Sequence, residues 1–99
     1  MAHRTKEGQE VHDAKVAEVA RRLERSGYRV LADLPGHPQP PILNGYRPDV
    51  VAQKASRVLV REVETPSTLA ADRAQQQGLR RWAQDHGAEF RTIVAKRRR

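Results

Sequence analysis

The stretch Arg57-Val58-Leu59-Val60-Arg61-Glu62-Val63-Glu64-Thr65 leaves this chain few folds to choose from. It reads as a strand stopped by Pro66, and its Val-Leu-Val core suits burial on both faces, hence a central place in a sheet. Side chains on a strand alternate with a period of two, so Glu62 and Glu64 share one face and Val63 points away. A second run, Tyr46-Arg47-Pro48-Asp49-Val50-Val51-Ala52, comes just before it. Residues 47–54 read as a strand, and Lys54-Ala55-Ser56-Arg57 as a tight connection without the strong Asn-Gly signal. That hairpin places Asp49 beside Glu62 and Glu64. Three carboxylates on one patch repel each other. A hard divalent cation such as Mg²⁺ is the simplest compensator, because oxygen ligands suit it.

The rest of the chain supplies two helices and two more strands. From about Gln9 to Ser26, His12, Val16, Val19 and Leu23 recur at helical spacing and make one stripe. Gly27 suits a left-handed end to that helix. Residues 28–34 read as a strand and residues 35–45 as a Pro-rich loop. After Pro66, Ser67 or Thr68 suits the cap of a second helix over about Leu69 to Asp85, with Gln75, Leu79, Trp82 and His86 on one stripe and Gly87 at its end. Residues 89–95 read as a last strand, and Lys96-Arg97-Arg98-Arg99 as a basic tail. The expected architecture is α/β, an α-β-β-β-α-β core with a mixed four-stranded sheet flanked by two helices. All of it forms one domain over residues 1–99, with a polar, frayed segment at 1–8. A parallel β-α-β step at the end is expected to be right-handed.

Charge narrows the partners. Lys and Arg number 19 against 12 Asp and Glu, a formal net charge of +7. That favours an anionic partner, nucleic acid first, though the same excess also serves plain solubility. The absence of cysteine excludes disulfides and thiolate metal sites. No apolar run is long enough for a membrane span and no signal-peptide core is present, so the expectation is a soluble, cytoplasmic protein. A core with only 4% aromatic residues is thin, and self-association would help it.

With these elements in order, the chain resembles the PD-(D/E)XK nuclease superfamily, whose restriction-endonuclease-like core is also α-β-β-β-α-β. Pro48-Asp49 matches the start of the family motif. Glu62-Val63-Glu64 matches its second part, except that Glu64 stands where Lys is usual. The run from Gly27-Tyr28-Arg29-Val30 through Arg47-Pro48-Asp49-Val50-Val51-Ala52 is similar to archaeal Holliday-junction resolvases and related small nucleases. The resemblance spans roughly residues 9 to 95.

It implies Mg²⁺- or Mn²⁺-dependent hydrolysis of a nucleic-acid backbone, DNA above all, by a homodimer. Asp49 and Glu62 would be metal ligands, with the Val63 carbonyl as a further oxygen and Glu64 as ligand of a second ion or as base. It implies catalytic roles for His12, from the first helix, and for Gln75 or Gln76, from the second. Lys54 could replace the missing family Lys only through a bulge, because it lies at odd spacing from Asp49. Arg47, beside the acidic cluster, Lys54 and the tail Lys96, Arg97, Arg98 and Arg99 are candidates for nucleic-acid contact. The substitution at Glu64 keeps a second function open: a catalytically inactive nuclease-like domain that binds nucleic acid or a partner protein.

Overall fold

The first helix, α1 (Lys6–Arg25), is set by the stripe His12, Val16, Val19 and Ala20, all buried. It starts three residues before the expected Gln9, because the Thr5 hydroxyl accepts the Gly8 N–H at 3.0 Å and caps the first turn. It ends as expected, with Gly27 in the left-handed region at φ 90°. The computed structural model describes residues 5–96. After α1 come β1 (Arg29–Ala32), β2 (Val50–Lys54), β3 (Arg57–Glu64), α2 (Arg73–His86) and β4 (Glu89–Val94).

The strands lie in the order β1-β2-β3-β4. The first two pairings are antiparallel and β3 pairs parallel with β4. This is the mixed sheet with two helices that the strand pattern predicts, with β3 inside it. Alternation along the strands makes a core on each face. Val30, Ala32, Val50, Ala52, Leu59 and Val63 pack with Val16 and Val19 of α1. Val60 packs with Leu43 and Leu79, and with Val51, Trp82 and Phe90 at the margin.

Elsewhere the elements are shorter than the pattern suggests, for tertiary reasons. The strand expected over 28–34 stops at Ala32, where the Pro-rich loop folds back on it. Ala32 N–H donates to the Pro38 carbonyl at 3.0 Å, and Gln39 Nε2 donates to the Ala32 and Leu34 carbonyls at 3.3 and 3.2 Å. The loop so satisfies the outer edge of β1 at Ala32, which would otherwise expose unpaired backbone. The strand expected from Arg47 begins only at Val50, because Asp49 turns its polar groups to side chains and loops. The second helix begins at Arg73 rather than Leu69. Thr68 is not its cap: its hydroxyl goes to Glu64, and Asp72 stands at the cap position. Gly87, at φ 67°, ends α2 as expected.

The loop before β2 is pinned to α2. Leu43 and Tyr46 exchange backbone hydrogen bonds at 2.7 and 3.0 Å, and Asn44 Nδ2 donates to the Gly78 carbonyl at 3.0 Å. The Tyr46 ring lies so close to Gly78 that a Cβ there would meet its Cε2 at 2.6 Å. Glycine on this helix face is therefore a packing requirement, and it fixes the chain just ahead of Arg47, Pro48 and Asp49. Among the described residues, no helix is long and apolar enough to cross a membrane.

Candidate active site

Three elements bring the key side chains to one end of the sheet. α1 presents His12, the residue just before β2 is Asp49, and β3 delivers Glu62 on the face toward α2, where Gln75 meets it. All three titratable groups are largely buried: His12 is 4%, Asp49 8% and Glu62 1% exposed. They line a cleft of about 370 Å³ together with Asp13, Asp33, Asp72, Tyr46 and Arg47.

Asp49 and Glu62 interlock. The Asp49 N–H donates to Glu62 Oε1 at 3.2 Å, and the Val63 N–H donates to Asp49 Oδ2 at 2.8 Å. Gln75 Nε2 donates to the other Glu62 oxygen, Oε2. His12 Nε2 lies 3.2 Å from Asp49 Oδ1, while its Nδ1 is held 2.9 Å from Asp13 Oδ1. Asp13 in turn accepts from Gln9 Nε2 at 2.8 Å, so the imidazole is aimed by a partner on its own helix. Burial, then the Asp49 charge and a hydrogen bond with its carboxyl, then the Glu64 charge push the Glu62 carboxyl up to about 9, against only the hydrogen bond from the Asp49 backbone. Without a compensating cation, burial and the neighbouring carboxylates thus favour the protonated form of Glu62.

The backbone adds one more oxygen. The Glu64 carbonyl faces β4, where it accepts from Ala95 N–H at 2.7 Å. Backbone groups alternate sides along a strand, so the Val63 carbonyl points with its N–H toward Asp49. Two carboxylates and a carbonyl form a hard-oxygen donor set of the kind Mg²⁺ or Mn²⁺ accepts, with water completing the shell. Glu64 does not extend that set. It is fully buried, and Thr68 Oγ1 donates to its Oε1 at 2.6 Å. Among the described residues no three His, Asp or Glu side chains are grouped so as to hold a metal ion. The expected patch of three carboxylates is therefore a pair, with the third turned into the Thr65–Thr68 turn.

The remaining candidates separate in the same way. Gln75 reaches the site; Gln76 does not, because its Nε2 donates to the Leu69 carbonyl at 2.8 Å. Arg47 stands at the cleft and donates to the Pro40 carbonyl. Lys54 lies at the far end of β2, where its ammonium donates to the Ser26 carbonyl at 2.8 Å, so no bulge brings it to Asp49. Lys96 is exposed beyond β4, and Arg97, Arg98 and Arg99 lie outside the described residues. Arg61 faces away from the cleft, as alternation requires, and binds Glu89 on the other face. The sequence pattern gave no role to Asp13, Asp33 or Asp72. Only the adjacency of Asp13 to His12 pointed to any of them.

No protein-family model matches this chain, and no curated protein matches it either.

Proposed function

We propose that the cleft is the active site of a metal-dependent nuclease of the PD-(D/E)XK kind, hydrolysing phosphodiester bonds in nucleic acid, DNA in the first place. The observation that carries this reading is the Asp49–Glu62 pair: two buried carboxyl groups, each hydrogen-bonded to backbone beside the other, at a cleft in a chain of net charge +7. Such a pair is costly to fold unless a cation replaces the proton in the working state. A bound Mg²⁺ or Mn²⁺ would polarise the phosphate and lower the pKa of an attacking water. Asp49, Glu62 and the Val63 carbonyl would hold it. The Val63 N–H and Gln75 orient the two carboxylates, and His12, steadied by Asp13, positions Asp49 Oδ1. Arg47 meets the substrate phosphate at the rim. Pairing two clefts across the strands of a duplex would require a homodimer, which light scattering with and without DNA tests.

A second reading is favoured by one observation. Glu64 takes the place of the family Lys, and no lysine lines the cleft among the described residues. On that reading the domain binds nucleic acid without cutting it. The deciding experiment incubates the protein with Mg²⁺ or Mn²⁺ and duplex, single-stranded and branched DNA and RNA, beside Asp49→Ala. Cleavage by the wild type alone supports the nuclease. Salt-sensitive binding with no cleavage of any substrate gives the case to the binding domain.

A further inference from the structure

α2 covers one face of the sheet at β3 and β4, but on the opposite face α1 lies over β1 to β3 and leaves β4 open. The space between α1 and β4 is a groove in two adjoining parts of about 370 and 290 Å³. Its walls are basic on both sides. Lys15, Arg21 and Arg22 come from α1, and Arg61, Arg91 and Lys96 from the sheet side. Two carboxylates oppose these six cations: Glu18, 2.6 Å from Lys15, and Glu89, 3.3 Å from Arg61. Arg61 above all, with Arg57 and Arg91, holds the Glu89 carboxyl below the usual range, so it stays charged and its demand is met within the fold. Among the described residues, no ion pair engages the exposed Arg21 guanidinium or the Lys96 ammonium, and the exposed Arg91, 3.6 Å from Glu89 Oε1, stands beside them.

We infer that this groove is a track for the sugar-phosphate backbone of a single nucleic-acid strand. Three features fit that occupant. The cations stand in two facing rows, and the seven helical steps from Lys15 to Arg22 span about 10 Å, room for consecutive phosphates. The groove's volume is of the order that admits a chain one molecule wide, as small-ligand clefts do, and a duplex cannot enter it. Among the described residues no aromatic ring lines it, so backbone charge is contacted and bases are not stacked. The groove also flanks α1 opposite the acidic cleft. Val11 and Lys15 face one side and His12 and Asp13 the other, so the two are separated by about one helix diameter, roughly 10–12 Å. A strand held in the groove and crossing the start of α1 reaches Asp49 and Glu62. This inference rests on reading the chain as acting on nucleic acid, but it does not require that the cleft cut.

The test is a binding titration in EDTA, so that cleavage plays no part. Short labelled DNA, single-stranded and duplex, is titrated with the wild type, with Arg21→Gln/Arg91→Gln/Lys96→Gln, and with a control, Arg25→Gln/Arg29→Gln/Arg81→Gln. The control removes the same charge from exposed positions outside the groove. Circular dichroism confirms that each variant is folded. The expected result is single-strand affinity at least tenfold weaker in the groove variant, within about twofold in the control, and a salt slope shallower by roughly two, since each lost single-strand phosphate contact removes about 0.7. Equal losses in both variants would reduce the groove to net charge and overturn the inference. Tighter duplex than single-strand binding through the same residues would overturn the single-strand assignment. Displacement of the DNA by polyglutamate at equal charge would assign the groove to an acidic protein segment instead. Absence of nuclease activity, by contrast, would leave this result standing and remove only the catalytic reading.

Discussion

Just past the last β2–β3 pair, Val50 with Arg61, the Asp49 N–H donates to Glu62 Oε1 at 3.2 Å. The Val63 N–H answers by donating to Asp49 Oδ2 at 2.8 Å. The sheet thus ends in a side chain–backbone exchange built from the two carboxyl groups proposed to hold a cation. Each is bound to the backbone that presents the other, so neither is a free-swinging surface acid.

This arrangement ties stability to pH. The Glu62 carboxyl ionises near 4.5 in the unfolded chain and near 9 in the folded one. Between those values the folded state carries the extra proton, so unfolding becomes easier as pH rises. In EDTA the contribution is complete below about pH 4.5 and is lost as pH climbs toward 9. Thermal unfolding across that range should show a falling Tm, and Glu62→Gln should flatten the slope. A Tm in the wild type that climbs from pH 5 to 9 (roughly the window of the shift) would contradict a raised Glu62 carboxyl. Mn²⁺ should raise Tm most at the alkaline end, where it meets least competition from that proton.

Asp49→Asn separates charge from geometry. The amide oxygen can still accept from Val63 N–H, but the like charge beside Glu62 is gone. Glu62 should then titrate at a lower pH, which carboxyl carbon NMR reads directly, and stability near pH 8 should rise or hold. Mn²⁺ binding should weaken at least tenfold and any cleavage should vanish. If Asp49→Asn cuts as well as the wild type, Asp49 is not a ligand of the working site.

Glu64 is where the motif and the structure part. Glu64→Gln leaves an acceptor for Thr68 and should change neither fold nor cleavage by more than about threefold if Glu64 is a strut. Thr68→Val, of equal volume, takes the donor from Glu64 and the acceptor from Thr65 N–H. Removing these two hydrogen bonds from buried groups should cost about 2–6 kcal/mol in a urea melt, at about 1–3 kcal/mol for each in general. Loss of cleavage in Glu64→Gln with stability intact would instead restore Glu64 to the catalytic set.

The parts of the fold that local chemistry decides were legible in the sequence. The Val-Leu-Val run placed β3 inside the sheet, Pro66 stopped it, and Gly27 and Gly87 ended the helices. The parts settled by distant partners were not. Thr68 has the chemistry of a helix cap, yet a carboxylate four residues back outbids the helix for its hydroxyl, and α2 starts late. That start also sets the phase of the Gln75-Gln76-Gln77 run, so only Gln75 meets Glu62. Asp49 and Glu62 could be paired from strand alternation and the hairpin alone. Asp13, Asp33 and Asp72 are scattered through the chain, and only the topology gathers them around the same cleft.

Gly78 gives the sharpest test of how the cleft is held. In an exposed helix, Gly→Ala gains about 1 kcal/mol from propensity. Here the new Cβ would strike the Tyr46 ring, with contacts of 2.6 and 2.8 Å. Overpacking of this kind costs about 1–3 kcal/mol, and the ring can yield only by moving the turn that leads into Arg47 and Asp49. Gly78→Ala should therefore lower stability by up to about 2 kcal/mol, the clash less the propensity gain. It should also weaken Mn²⁺ binding from a distance. In a Tyr46→Ala background the clash is absent, and the same substitution should stabilise by about 1 kcal/mol. The change of sign between the two backgrounds, read from urea melts of all four proteins, is the coupling between α2 and the loop. Equal effects in both backgrounds would mean that Tyr46 does not brace the cleft through Gly78.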